Sequence, residues 1–224
     1  MRQDHIKCYY DSEKGQRTLN LTKLFETQAK LDERIMQEHP ELRGQNNLDW
    51  KLLALQVELG ECANEWRGFK KWSKDQEPRT RVACSVCDGS GLMNFVVKKT
   101  CRFCNGSGTV GNPLLEEYVD CLHFKLSIGL DLGAQNWLKI NEYPAANENS
   151  SITMQFLDVH SKSLKVVEEI IRMEIEPSEI RNLFTQSFES FLQLGAKLGF
   201  TWEQVEEAYY AKNQINHARQ ENGY

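Results

Sequence analysis

The chain has 224 residues, 40% hydrophobic and 26% charged, and a formal net charge of −5 at pH 7. That length suits one large domain, or one domain with a small module, and leaves enough apolar material for a buried core. The acidic balance argues against a general nucleic-acid binder. No apolar run is long enough to span a bilayer and the N-terminus lacks a signal peptide's apolar core, so a soluble, cytoplasmic protein without membrane contact is expected.

Residues 1–18 are polar and read as an N-terminal extension. From Asn20 to about His39, the spacing of Leu21, Leu24, Phe25, Leu31 and Ile35 predicts a helix, with Asn20 as a candidate cap. Gln28 and Asp32 lie on a neighbouring face. A polar linker, Pro40–Asn47, leads to Asp49–Trp72, which reads as one helix capped by Asp49. Its apolar stripe is Leu52, Leu55, Leu59, Ala63 and Trp66. Glu58, Glu61 and Glu65 fall three and four residues apart, on one face bordering that stripe. Carboxylates beside a core-facing stripe are costly to desolvate unless a cation neutralises them. Mg²⁺, a hard cation, takes carboxylate oxygens. Taken alone, one such helix is read more simply as a solvated acidic face.

Residues 74–112 break the helical pattern with two copies of CxxCxGxG, Cys84–Gly91 and Cys101–Gly108. Seven cysteines do not suit a disulfide framework, and paired CxxC spacing reads as metal binding. Thiolates from Cys84, Cys87, Cys101 and Cys104 would make one closed tetrahedral Zn²⁺ site, which has no open position and so a structural role. An iron–sulfur cluster and redox-active thiols are the rivals. Cys62 and Cys121 read as small buried fillers. Arg79, Arg81, Lys98, Lys99 and Arg102 make this region locally basic. That is either solvated surface or a docking module for a protein or nucleic acid.

Pro113 opens a second acidic helix, to about Ile128, in which Glu117 and Asp120 repeat the carboxylate pair. Laid beside the first, it would converge four carboxylates on one point, as helical bundles do in di-metal sites. His123, three residues on, is either a partner of those ligands or a structural histidine. Leu130–Ser150 is loop-rich. Ser151–Arg172 reads as a helix with Ile152, Phe156, Val159, Leu164, Val167 and Ile171 as its stripe. Glu176–Leu198 reads as another, with an apolar face broad enough for a dimer core or for packing within the chain. Thr201 and Gln204 form a capping box for the last helix. There Lys212, Asn213, Asn216 and Arg219 fall mostly on one face, and such donors suit phosphate oxygens. The fold class expected is all-α.

The ExxE of Glu58 and Glu61 followed by the ExxD of Glu117 and Asp120 resembles the MazG-type all-α nucleoside triphosphate pyrophosphohydrolases. The segments ECANEWRGFKKW and EEYVDCLHF look like the dimeric all-α dUTPase family, of phage or bacterial type, over residues 19–224 with 74–112 inserted. The cysteine repeat resembles the zinc-binding domain of DnaJ-type chaperones, which has four such motifs where this chain has two and no J-domain.

The dUTPase resemblance implies a homodimeric helical bundle in a bacterial or phage-infected cytoplasm. It implies Mg²⁺-dependent hydrolysis of dUTP to dUMP and pyrophosphate, with two or more Mg²⁺ ions on Glu58, Glu61, Glu117 and Asp120. The family's QxxLN segment reads the uracil ring. Here it is Gln28-Ala-Lys-Leu-Asp32, and Asp32 replaces an amide that can donate with a carboxylate that only accepts. That departure opens dCTP, or pyrimidine nucleotides generally, as alternative substrates. Trp66 and Lys70 belong to the segment that walls the base and sugar pocket in the family. Tyr209, Lys212, Asn213, Asn216, Arg219, Gln220, Gly223 and Tyr224 match its YxxKNxxNxxRQxxGY segment, which contacts phosphate and sugar.

Overall fold

The computed structural model describes residues 19–94, 98–172 and 176–223. The expected extension 1–18 and the motif's Tyr224 lie outside them. Among the described residues six long helices dominate: α1 Leu21–Glu38, α2 Leu48–Trp66, α3 Pro113–Asp131, α4 Ile152–Arg172, α5 Pro177–Lys197 and α6 Trp202–Glu221. The all-α expectation holds. Four short strands, β1 Val82–Ala83, β2 Leu92–Asn94, β3 Lys99–Thr100 and β4 Thr109–Gly111, occur between α2 and α3.

The pairing of helices places the site. α2 packs along α3, α4 along α5, and α1 and α6 close over α3. The core joins Leu24 and Phe25 of α1, Leu55 and Leu59 of α2, Tyr118, Leu122 and Leu126 of α3, and Phe184, Phe188 and Phe191 of α5. Tyr118 stacks on Phe191 with centroids 4.4 Å apart and donates its hydroxyl to the Phe191 carbonyl at 3.1 Å. A buried lysine ties three helices together. Lys125 Nζ donates to Ser163 Oγ at 3.0 Å, to the Ser187 carbonyl at 3.3 Å and to the Ser187 hydroxyl. Burial pushes its pKa down to about 7.

Helix ends follow local chemistry, with three departures from the sequence expectations. The capping box forms as expected, and Asn112 caps α3 by accepting from Leu115 N–H at 3.2 Å. Asn20 makes no side-chain cap bond. The cap position of α2 is Asn47, and Asp49 sits in the first turn, where its Oδ1 accepts from Trp50 N–H. α2 also stops at Trp66 rather than Trp72. Arg67 turns left-handed (φ 63°), and its guanidinium holds the Asp75 carbonyl at 3.0 Å and carboxylate at 3.0 Å. The chain is thereby turned off the helix axis, and Gly68 passes so close to the Trp66 ring that a Cβ there would meet it at 2.4 Å.

For α5 one of two packing alternatives is found, and for α4 one expectation is corrected. The apolar face of α5 is buried within the chain, against α4 and α3. Leu164, placed in the α4 stripe by periodicity, is 47% exposed, while Val166 is buried. Leu164 instead continues an outward row with Met154 and Leu157, and α2 carries another, Trp50, Leu53 and Val57.

Gly195 of α5 has no room for a side chain. A Cβ there would meet Tyr118 Oη at 2.4 Å and Tyr143 Oη at 2.6 Å, both on bulky rings, the first fully buried and the second half-buried. Gly195→Ala should therefore destabilise the fold by about 1–3 kcal/mol despite alanine's better helix propensity. A denaturant midpoint equal to or above wild type would show that this contact is not tight.

Candidate active site

The acidic helices converge as their pairing requires. Glu58 from α2 and Glu117 and Asp120 from α3 place carboxylate oxygens within 4.8 Å of one another. Glu61 is exposed and outside that cluster, but close enough for its charge to act on Glu58 and Glu117. Like charges held together at a partly desolvated place resist ionisation. Burial first, then the charges of Asp120, Glu61 and Glu117, pushes Glu58 up to about 7. Burial and the neighbouring carboxylates also raise Glu117. Asp120 is raised by burial, against the pull of Lys212, whose Nζ donates to Asp120 Oδ2 at 2.5 Å. A site that holds three unwilling anions is suited to a divalent cation.

The cluster stands at one end of a cavity of about 380 Å³. Of the residues picked out by sequence, Gln28, Asp32, Glu58, Asp120, Asn216, Arg219 and Gln220 line it. Glu117 and Lys212 adjoin it through the carboxylate cluster, and Tyr209 donates its hydroxyl to Gln28 Oε1 at 3.0 Å. Arg219 Nη1 donates to Asn216 Oδ1 at 3.4 Å. Asn213 is buried with its Nδ2 unpartnered, as is Gln220 Oε1. Of the two, Gln220 lines the cavity, where a polar ligand would satisfy its orphaned oxygen. Trp66 and Lys70 are elsewhere: Trp66 packs its indole 5.5 Å from Phe156, and Lys70 Nζ lies 5.6 Å from the Phe69 ring.

Several cavity residues were not singled out from sequence. Lys51 is buried, donates to Asp131 Oδ2 at 2.6 Å and stands 4.0 Å from Asp32 Oδ2. Its one signal was a lysine four residues before Leu55, in phase with the apolar stripe. Ser127, which donates to Asp32 Oδ2 at 2.7 Å, carried no signal. His123 was noticed, yet its contact is with Gln28 of α1, a residue far away in sequence.

The cysteine module between α2 and α3 builds a second centre. β1 pairs with β4 and β2 with β3, both antiparallel, so the two knuckles face each other. The Cys84 and Cys101 sulfurs are 4.0 Å apart, those of Cys87 and Cys104 3.7 Å. A tetrahedron of sulfurs around Zn²⁺ has an edge of about 3.8 Å, given a Zn–S bond of about 2.3 Å. Gly91 and Gly108 donate N–H groups to Cys87 and Cys104 at 3.3 Å. Both need glycine: φ is +71° and +74°, and a Cβ would strike the carbonyl oxygen of Gly106 or Gly89 at 2.4 or 2.3 Å. On the outside, Val86, Met93 and Phe103 are exposed beside Lys99 and Arg102 around a shallow groove.

The chain is similar to two kinds of known protein. The sequence is 51% identical over 37 residues to the chaperone protein DnaJ of Staphylococcus carnosus (strain TM300), and equally to that of Staphylococcus saprophyticus. This covers 16% of the chain and 10% of either chaperone, so the chain spans about a tenth of the length of those relatives. A family model described as dUTPase matches residues 20–95 and 106–224, its gap falling inside the cysteine module. With the match extending over most of the chain and both carboxylate helices inside it, the protein belongs to the dUTPase family.

Proposed function

We propose that this protein hydrolyses dUTP to dUMP and pyrophosphate with Mg²⁺ held by Glu58, Glu117 and Asp120, and by Glu61 at their edge. The observation that carries this reading is the three-carboxylate cluster at one end of a cavity with amide and hydroxyl groups at the other. Bound there, Mg²⁺ would polarise phosphate oxygens and lower the pKa of a coordinated water. The residues supply the rest. Lys212 balances the charge of Asp120, and Arg219 is placed at the cavity to take phosphate oxygens. Glu58, the cluster residue pushed to about 7, is the carboxylate suited to accept a proton from attacking water near neutral pH.

The strain in that cluster gives a stability signature. Glu58 holds its proton up to about 7 in the fold, against an ordinary value of 4.5. Between those values the folded state binds a proton the unfolded chain has released, so stability falls as pH rises. In EDTA, the melting temperature should drop between about pH 4.5 and 7, Mg²⁺ should restore it, and Glu58→Gln should flatten the drop. The same substitution should lower kcat for dUTP by about 100-fold or more. Unchanged turnover in Glu58→Gln would remove Glu58 from the chemistry.

The outward rows on α2 and α4 support a homodimer. Leu53 is 66% exposed, Val57 51% and Leu157 55%, and the two helices pack against each other. An apolar face of this kind on a bundle normally meets a partner. The sulfur geometry supports one structural Zn²⁺ per chain. A native mass spectrum should therefore show two chains carrying two zinc ions. A monomer would sink the first assignment, and an iron–sulfur mass or no metal the second.

The exposed Val86, Met93 and Phe103 beside basic residues also support a docking role for the module. Ala83 pairs with Thr109 across β1 and β4, so the module's ends are adjacent. Replacing residues 84–108 by a short turn should leave dUTP turnover intact and abolish partner capture. Loss of folding on excision would make the module a structural staple instead.

A further inference from the structure

Gln28 stands in a buried chain of hydrogen bonds. Its Nε2 donates to Asp32 Oδ1 at 2.7 Å, while its Oε1 faces His123 Nδ1 at 2.8 Å and the Tyr209 hydroxyl at 3.0 Å. Burial raises the pKa of Asp32, and the hydrogen bonds from Ser127 and Gln28 and the Lys51 ammonium 4.0 Å away pull against it, toward the carboxylate that accepts. That acceptor fixes the amide, because turning it over would set two oxygens against each other. Gln28 Oε1 therefore faces His123, and an oxygen there can only accept. The proton of His123 is on Nδ1. A neutral imidazole carries one N–H, so Nε2 presents a bare lone pair. The ring is neutral, since burial first and then Lys212 push its pKa down to about 3.

Among the described residues that lone pair has no partner. His123 is 6% exposed, its Nε2 makes no hydrogen bond to them, and its ring, stacked on Tyr209 at 4.4 Å, lines the cavity. A buried acceptor of this kind is satisfied only by a ligand or water that donates. Its place on α3 is informative. Asp120 of the carboxylate cluster and Ser127 are two turns apart, about 10 Å at 1.5 Å per residue, with His123 between them. A nucleotide with its phosphates at the carboxylates reaches this region with its base.

We propose that His123 Nε2 selects the base, accepting from the imide N3–H of uracil, and that Asp32 acts as a positioning residue by holding His123 in that tautomer through Gln28. The proposal rests on the pyrimidine nucleotide reading above. Cytosine has a lone pair at N3 where uracil has a proton, so it meets Nε2 acceptor to acceptor. Asp32 thus works against cytosine. Its two oxygens are already engaged by Gln28 and Ser127, and the acceptor the base meets is one relay away.

The test compares kcat/KM for dUTP, dCTP, N3-methyl-dUTP and 2′,3′-dideoxy-UTP with Mg²⁺, in wild type, His123→Asn and Asp32→Asn. Sites built to bond a polar hydrogen reject analogues lacking it strongly, so dUTP should exceed dCTP and the N3-methyl analogue by about 100-fold or more. Both variants should shrink the dUTP-to-dCTP ratio at least about tenfold, since an amide at either position presents a donor as readily as an acceptor. A ratio unchanged in Asp32→Asn overturns the relay. A large loss with the dideoxy analogue and none with the N3-methyl one moves the donor to the sugar and overturns the base assignment. Nitrogen-15 spectra of the histidines give a readout without turnover. His123 should carry its proton on Nδ1 in the free protein, and its Nε2 signal should shift when dUMP is added. An Nε2–H tautomer overturns the proposal directly. Absence of pyrophosphate release from every nucleotide, with the tautomer as expected, would fault the hydrolase reading instead.

Discussion

Everything at this site depends on α2 and α3 lying side by side with carboxylates on the seam between them. Apolar residues on both helices drive that packing, with Leu55 and Leu59 of α2 and Leu122 and Leu126 of α3 fully buried. The same contact carries Glu58, Glu117 and Asp120 to one point where none of them ionises easily. Hydrophobic burial thus drives an electrostatically unfavourable assembly. Lys212, arriving from α6, offsets part of the repulsion at Asp120. A cation would complete the neutralisation, which is why a half-buried acidic cluster and a metal centre go together.

The opposite end of the cavity is built on hydrogen-bond direction rather than net charge. Lys51, Asp131, Asp32, Ser127, Gln28, Tyr209 and His123 form a connected set drawn from four helices. In such a set the state of one group dictates the orientation of the next. A carboxylate at one end determines which face of an amide is presented at its middle. On the proposed reading, selectivity belongs to the network behind His123 as much as to His123 itself. On that reading Asp32 acts through the wiring, by way of Gln28.

The cysteine module is held by different physics and makes few demands on the bundle. Its knuckles are related by repeat, their sulfurs meet at tetrahedral distances, and their glycines let carbonyl and N–H groups approach within the space of one Cβ. Little apolar area is buried in it beyond the cysteines themselves. A metal is therefore the natural source of its stability. Its adjacent ends allow insertion between α2 and α3 without disturbing the seam.

Helical class, the two acidic pairs, the cysteine repeat and the capping box were all legible in the sequence, because each is a short-range pattern whose spacing carries its own geometry. The i,i+3 carboxylates must share a face, and CxxC must turn both sulfurs one way. Where a pattern ran on without a clear stop, as at Arg67 and Gly68, the reading overshot by a turn and a half. Only the tertiary structure decided which faces are covered. Leu164 and the α5 face had the same apolar spacing, yet one faces out and the other is buried, because burial depends on neighbours that periodicity does not name. The same holds for Lys51, Ser127 and His123. Their roles come from contacts with residues distant in the chain, and a hydrogen bond between Gln28 and His123 leaves no mark on the local sequence of either.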